Sequence, residues 1–421
     1  MSGRRKFIRN SILGGVSIIG IPGVKAKGNL KTKYSKPLSY KLTHDIPAKF
    51  YDGRNCWVHP RAGIVPGTGR KDFPRVVFTM TTQDNLGSDV FKDMYGFHTN
   101  DLGTSWSTPE QVISMRPRFE ELDGVKCPIA ASDFWPAYHR ESKTLLGIGH
   151  TVVYTPDWHV KFPRPRNSVF SIYNSEQDKW SEWKIINLPD KEKFYHEGAG
   201  SVQRYDEADG TILLPTYFTP LNEVSSRVAV MKYAFDGEKL QYLIHGNELS
   251  IDDKTRGLHE PSLTKFNNEY FMTIRNDNCG FVTRSKDGLE YEPINLWKFD
   301  DGTDLGNYNT QQHWVTHSDG LFLVYTRRGA NNDHVTRHRA PLFMAQVDTD
   351  RLCIIRDTEQ IIVPERGAKL GNFGVTVISP EETWVTVSEW MQPIGVEKYG
   401  SDGSIWVARI HWNKPNLYFQ H

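Results

Sequence analysis

The chain has 421 residues, with 51 Lys and Arg against 50 Asp and Glu, a net charge of +1 that excludes a basic nucleic-acid-binding protein. Its four cysteines (Cys56, Cys127, Cys279, Cys353) lie far apart and form no Cys-x-x-Cys pair, which excludes a disulfide framework. The length suits two ordinary domains or one large all-β domain, and the absence of any Ser/Gly/Pro linker favours one.

The chain opens on Gly3-Arg4-Arg5-Lys6-Phe7-Ile8-Arg9, similar to the twin-arginine export pattern Arg-Arg-x-Phe-Leu/Ile-Lys/Arg. An apolar run from Ser11 to Gly23 follows, and Val24-Lys25-Ala26 fits a small-x-small cleavage site. The run is too short and too rich in glycine to span a membrane, and no cysteine follows it to carry a lipid. Residues 1–26 therefore read as a signal peptide and 27–421 as the functional domain, exported to the periplasm or secreted. The signal holds five basic residues (Arg4, Arg5, Lys6, Arg9, Lys25) and no acidic one, so the remainder carries 46 basic against 50 acidic residues, a net charge of −4. Any attraction for an anionic substrate must come from a local cluster of Arg and His.

Beyond the signal a three-strand unit repeats: one strand ending in a polar turn, a strongly apolar second, and a third carrying aromatic and charged residues. The first unit runs Trp57 to Val65, Arg75 to Thr82 and Phe91 to Thr99. The second holds Pro128 to Tyr138, Leu145 to Tyr154 and Val169 to Tyr173, and the third Gly198 to Tyr205, Ile212 to Tyr217 and Val228 to Phe235. The fourth has Glu260 to Phe266, Tyr270 to Arg275 and Phe281 to Ser285. The fifth is Gln312 to Thr316, Leu321 to Thr326 and Leu342 to Val347, and the last Phe373 to Ile378, Thr383 to Ser388 and Ser404 to Ile410. No segment longer than about ten residues has helical periodicity. The expectation is an all-β, single β-propeller with six readable blades, and a long first unit with room for a seventh.

At the end of the first unit, Thr99-Asn100-Asp101-Leu102-Gly103-Thr104-Ser105-Trp106 matches the Asp-box Ser/Thr-x-Asp-x-Gly-x-x-Trp/Phe, a hairpin turn of sialidase-like propellers. Asp101 is suited to accept turn amides, Gly103 to adopt a positive φ, and Trp106 to plug the turn against the sheet. Ser285-Lys286-Asp287-Gly288-Leu289-Glu290-Tyr291 falls one residue short of the pattern and reads as a tight turn.

Propeller sites lie on the axis, lined by the inner strands, and polar residues recur at those strand ends. They are His59 and Arg61, His150, His196 and Glu197, Tyr217, His259 and Glu260, Arg275, His313, Arg328 and Asn372. Polar groups around a narrow axis are costly unless they pair with each other or with a ligand. A sialidase needs three arginines on a carboxylate, a Tyr–Glu pair and an early Phe/Tyr-Arg-Ile/Leu-Pro motif. Here His59-Pro60-Arg61 stands where that motif belongs.

The segments Trp57-Val58-His59-Pro60-Arg61-Ala62-Gly63, Gly149-His150, Tyr217, His259-Glu260-Pro261 and His338-Arg339-Ala340-Pro341 resemble secreted β-propeller enzymes of the ulvan lyase type, commonly seven-bladed. That resemblance implies β-elimination on a uronic acid: a base takes the C5 proton, a cation neutralises the carboxylate, and an acid protonates O4. It assigns His150 and Tyr217 as the catalytic pair, with base and acid unassigned between them. Arg275 and His259 are the carboxylate clamp, supported by Arg328, His313, Arg61 and His59. If O4 carries a sugar the enzyme is a polysaccharide lyase; if O4 is a free hydroxyl it is a dehydratase. A glycoside hydrolase (a rhamnosidase or sialidase-like enzyme using a carboxylate pair such as Glu197 and Glu260) and a non-catalytic glycan-binding propeller are the alternatives.

His334-Val335-Thr336-Arg337-His338 has the His-x3-His spacing of zinc sites, and with Cys279 it could hold a structural zinc, which elimination does not require. The expected partner is an anionic oligosaccharide or polysaccharide, acted on by a monomer, with no nucleic acid and no membrane span.

Overall fold

A computed structural model describes residues 38–87 and 89–419, so the expected signal at 1–26 lies outside the described residues. Six antiparallel sheets form the blades of a propeller, and the described residues contain no α-helix. Blade one is Asn55–Val65, Arg75–Asp84, Phe91–Thr99 and a two-residue edge, Glu110–Gln111. Blade two is Val125–His139, Thr144–Val153, Ser168–Asn174 and Lys179–Trp180, with Arg118–Leu122 folded back on its first strand. Blade three uses His196–Gly198, Ile212–Thr219, Arg227–Phe235 and Leu240–His245, and blade four His259–Phe266, Glu269–Arg275, Gly280–Ser285 and Asn295–Leu296. Blade five is His313–His317, Gly320–Tyr325, Leu342–Asp348 and Cys353–Ile354.

Blade six joins the two ends of the chain. Its inner three strands are Gly374–Ser379, Glu382–Ser388 and Ser404–Trp412, and its outer strand is Tyr40–Lys49, which runs antiparallel to the last from Tyr40 opposite Trp412 to Lys49 opposite Ser404. The sequence ahead of the first unit thus closes the ring, and no seventh blade forms among the described residues. Pro47 lacks an amide donor, and the ladder shifts register between Asp45 and Ala48, a break that an outer strand tolerates.

Second strands read as strongly apolar because both faces are covered: every residue of Ile212–Thr219 and of Glu382–Ser388 is buried. Trp106 fills the seam between blades one and six, with its ring 5.6 Å from Phe78 and 5.8 Å from Trp384. The Asp-box turn forms as the sequence predicts. Asp101 accepts the Ser105 amide at 2.8 Å, and the Thr99 hydroxyl accepts the Gly103 amide at 2.9 Å. The turn at Ser285 repeats this scheme despite the missing residue. Asp287 accepts the amides of Leu289 and Glu290 at 2.9 and 2.8 Å, and the Ser285 hydroxyl accepts that of Gly288 at 2.9 Å. The four cysteines are unpaired thiols, and no helix among the described residues is long and apolar enough to cross a membrane.

The first strands of blades one, two and four share an irregularity that shapes the axis. Each ladder slips, between Val58 and Arg61, Ser132 and Trp135, and His259 and Ser262. In each slip one polar residue takes a left-handed conformation: His59 (φ 57°), Asp133 (φ 53°) and Glu260 (φ 43°). A bulge re-aims the side chain it carries, and all three of these line one pocket. Non-glycine residues in this region are strained, and such strain gathers at functional sites.

Candidate active site

The pocket on the axis has a volume of about 1000 Å³. At its base the side chains of three blades meet on Asp133. The His59 Nε2 lies 3.4 Å from one carboxylate oxygen, and the His150 Nε2 lies 3.4 Å from the other. Arg61 Nη1 is 3.6 Å from Asp133, and the Ser201 hydroxyl donates to it. Burial alone would raise the Asp133 carboxyl, but His59, His150 and Arg61 outweigh it and hold the group well below the usual carboxylate range. The result is a buried carboxylate that stays ionised.

His150 stands on the second strand of blade two and is 6% exposed. Its Nδ1 lies 3.3 Å from the Tyr217 hydroxyl, and Tyr217 is 3% exposed. With Nε2 protonated toward Asp133, Nδ1 is free to accept from the phenol, which gives the chain Tyr217 O–H to His150 to Asp133. Burial lowers the His150 pKa, against the opposing pull of Asp133, and Arg166 and Arg164 lower it further. Burial raises the Tyr217 phenol. At neutral pH the imidazole is therefore an empty proton acceptor beside a protonated phenol. Gly198 and Gly200 make this possible: a Cβ at Gly200 would sit 2.3 Å from His150 Nδ1, and one at Gly198 would sit 2.8 Å from Arg166 Nε.

Around this pair the walls are cationic. On the blade-four side His259 and Arg275 face each other across the ladder. Arg275 donates to Glu260 and, at 2.5 Å, to the Asn309 side chain, while Arg256 grips Asp277 with two bonds of 3.0 and 2.6 Å. The His259 ring lies 5.4 Å from that of Tyr217. On the blade-two side the Arg166 guanidinium stacks 4.0 Å from the centre of the Tyr217 ring and donates to the Tyr217 carbonyl at 3.1 Å. Arg164, Arg337 and Arg339 also line the pocket. Burial takes the Arg339 guanidinium down to about 9, with Arg275 and Arg337 adding repulsion.

Of the residues singled out in the sequence, His59, His150, Tyr217, His259 and Arg275 come together here, with His196 and Asn372 also at the wall. Others do not reach it. Arg61 is fully buried beneath the pocket, where it holds Ser201 at 2.7 Å and Gln311 at 3.3 Å, and so positions Asp133 rather than meeting a substrate. His313 is also fully buried, with Nδ1 2.7 Å from the Ser262 hydroxyl and its ring packed 4.7 Å from Trp135 and 4.8 Å from Phe373. Blade five presents Asn309 to the pocket instead. Arg328 points outward and is exposed, donating to the Asn278 carbonyl at 3.0 Å and lying over Tyr308. Its expected place is taken by Arg337 and Arg339, from the loop before the third strand of that blade.

Glu197 is sealed below the surface, accepting from the Ser168 amide at 2.9 Å, the Ser168 hydroxyl at 2.7 Å and the Thr216 hydroxyl. It cannot serve as half of a hydrolytic carboxylate pair in this arrangement. The zinc set does not assemble either. His334 pairs with Glu365 at 3.0 Å, His338 with Asp333 at 3.2 Å, and Cys279 contacts Asn276. Among the described residues no group of three or more His, Cys, Asp or Glu is placed to hold a metal.

No known protein family matches the sequence, and no curated protein matches it. Solved structures share the fold. A protein of unknown function from Dyadobacter fermentans aligns with a TM-score of 0.57 at 13% identity, over 88% of this chain and 99% of that one. The Trypanosoma rangeli sialidase aligns with a TM-score of 0.58 at 11% identity, over 88% of this chain and 60% of the sialidase. The NanB sialidase from Streptococcus pneumoniae aligns with a TM-score of 0.57 at 9% identity, over 86% of this chain and 70% of that one. The chain is thus a sialidase-like β-propeller in fold.

Proposed function

We propose that this protein is a carbon–oxygen lyase that eliminates across C4–C5 of a uronic acid residue in an anionic glycan of the ulvan type. The observation that carries the reading is the hydrogen-bonded chain Tyr217–His150–Asp133 at the base of an arginine-lined pocket. Elimination needs a base at C5, a cation at the neighbouring carboxylate and a proton for O4. Tyr217 passes its proton to His150 Nδ1 as the phenol oxygen takes the C5 hydrogen. Asp133 stabilises the imidazolium that forms, much as a buried carboxylate supports histidine in acyl transfer. Electrons from the C5–H bond become the C4–C5 double bond, the C4–O4 bond breaks, and the pair returns one proton to O4. The proton count of the enzyme is unchanged over the cycle. Arg275 and His259 face the carboxylate, whose neutralisation makes the C5 proton removable.

The leaving group is a sugar in a polysaccharide lyase or water in an oligosaccharide dehydratase, and both leave a 4,5-unsaturated uronyl end. The shared fold with sialidases favours glycoside hydrolysis as the second reading. Against it, the Tyr217 hydroxyl bonds His150 and Glu260 bonds Arg275, which favours proton transfer between Tyr217 and His150 over activation of the phenol by Glu260. Incubating the protein with uronic-acid oligosaccharides, and following the ultraviolet absorbance of the unsaturated uronate together with product masses, tests the proposal. Elimination gives rising absorbance. A product lighter by one water identifies the dehydratase, and scission without water uptake the lyase. Products heavier by one water with flat absorbance would establish hydrolysis instead.

A further inference from the structure

The blade-two side of the pocket holds cationic donors that the elimination does not use. Arg164 is 8% exposed and lines the pocket, yet its Nε and Nη1 have no hydrogen-bond partner among the described residues. Arg166, 6% exposed, spends Nη2 on the carbonyls of His196 and Tyr217 at 3.3 and 3.1 Å and leaves Nε unpartnered. Burial, and then repulsion from Arg166, lower the Arg164 guanidinium, and the attraction of Asp89 offsets only part of this. Buried donors without acceptors are costly to a fold unless a ligand completes them. The neighbours fit a sugar. His196 binds the Arg164 carbonyl through Nδ1 at 3.0 Å, which leaves its Nε2 as an acceptor, and Phe162, 77% exposed, lies 5.2 Å from the Arg164 guanidinium.

We propose that Arg164 and Arg166 form a second anion subsite that takes an oxyanion, a sulfate ester or a second carboxylate, on the sugar next to the one that reacts. Planar guanidinium forks match both groups. Phe162, Leu221 and Val224 are exposed apolar residues that line the same pocket, whereas His150 and Tyr217 lie deeply buried. Arg166 stacks on Tyr217 while Arg164 lies beside the exposed Phe162, so the subsite runs from the reacting pair toward the mouth. Because Arg275 and His259 take the reacting carboxylate, its anion sits on a neighbouring residue. Naming that neighbour as a glycan residue rests on the proposed elimination; the anion binding itself does not.

Calorimetric titration of the protein with sodium sulfate, sodium acetate and methyl glucuronide at constant ionic strength tests this without turnover. Sulfate or acetate should bind, and whichever binds tighter names the preferred anion. Its Kd should rise by about tenfold or more in Arg164→Gln, as expected for lost charge-assisted hydrogen bonds, and stay unchanged in Arg328→Gln, whose side chain is exposed outside the pocket. Methyl glucuronide should bind equally well with that anion already in place. Mutual exclusion of the anion and the glucuronide, absence of anion binding, or unchanged affinity in Arg164→Gln would overturn the subsite. Should Arg164→Gln fail to fold, the competition in the unaltered protein decides alone. Intact double binding without any unsaturated product would remove the elimination and leave the subsite standing.

Discussion

The blade-four and blade-two sides of the pocket are both rich in arginine, but they treat it differently. On the blade-four side each cation has a carboxylate: Arg275 has Glu260, and Arg256 has Asp277 in a two-bond fork. On the blade-two side Arg164 and Arg166 have no carboxylate partner among the described residues, and like the Arg275 Nε they keep buried donors unfilled. A paired buried cation sets geometry, and removing its partner strands a charge in low dielectric. An unpaired one adds little to the fold and retains its capacity for a ligand. The blade-four side thus holds Arg275 and His259 in a fixed geometry, suited to the one carboxylate of the proposed reaction, and the blade-two side keeps capacity for the further anion proposed above.

The largest effect should come where the two sides meet. Tyr217→Phe removes only the hydroxyl shared with His150 and should lower kcat by about 10²- to 10⁴-fold, the range of a lost general acid–base group, with little change in KM or in melting temperature. A proportional rise in KM would make Tyr217 a binding residue and break the account of the base of the pocket. The contrast between the sides is tested by chemical denaturation. Glu260→Ala strands Arg275 and should cost about 3 kcal/mol of stability, whereas Arg164→Gln, which strands nothing, should change stability by about 0.5 kcal/mol or less or raise it. Equal losses in the two variants would erase the distinction.

A smaller effect is expected at Lys369. It is 2% exposed, bonded to Gln392 at 2.6 Å and packed over Trp390, a residue that lines the pocket. Burial first, then Arg339 and Arg337, lower its amine to about 6 from an ordinary 10.5. Between those values the unfolded chain binds more protons than the folded one, so stability should rise with pH through this window. Lys369→Met should flatten that rise and gain about 1 kcal/mol near neutral pH; a loss in denaturation midpoint would contradict it. Smallest is the shift in the pH profile. Because burial lowers His150, its acceptor form persists to lower pH than that of a free histidine, and the acid limb of kcat/KM should fall below pH 6.5.

The blades and the meeting of His150 with Tyr217 in one pocket are legible because their signals are local. Strand alternation, apolar second strands and the Asp-box turn are short-range patterns, and His150 and Tyr217 are polar groups in otherwise apolar strands. What could not be read depends on bulges and on ring closure. Asp133 lies in Ala131-Ser132-Asp133-Phe134-Trp135, an ordinary strand by composition, and only the slip between Ser132 and Trp135 turns it to the axis. The signal available was a polar residue before proline in two other first strands, His59-Pro60 and Glu260-Pro261, since proline inside a strand marks a bulge. Tyr40–Lys49 was missed because its partner is the far end of the chain, and Arg164 because its value lies in what it does not contact. Arg328 and Arg339 are equally plausible in sequence; loop geometry alone turns the second inward.

In the proposed elimination Tyr217 and His150 remove the hydrogen on C5. The most direct test is the fate of deuterium at that carbon in a uronic-acid oligosaccharide incubated with the protein. Every uronyl end formed by the reaction should have lost its C5 deuterium, and Tyr217→Phe should form that end at least about a hundredfold more slowly. A cleaved or dehydrated residue that keeps its C5 deuterium would contradict elimination and return the pocket to hydrolysis.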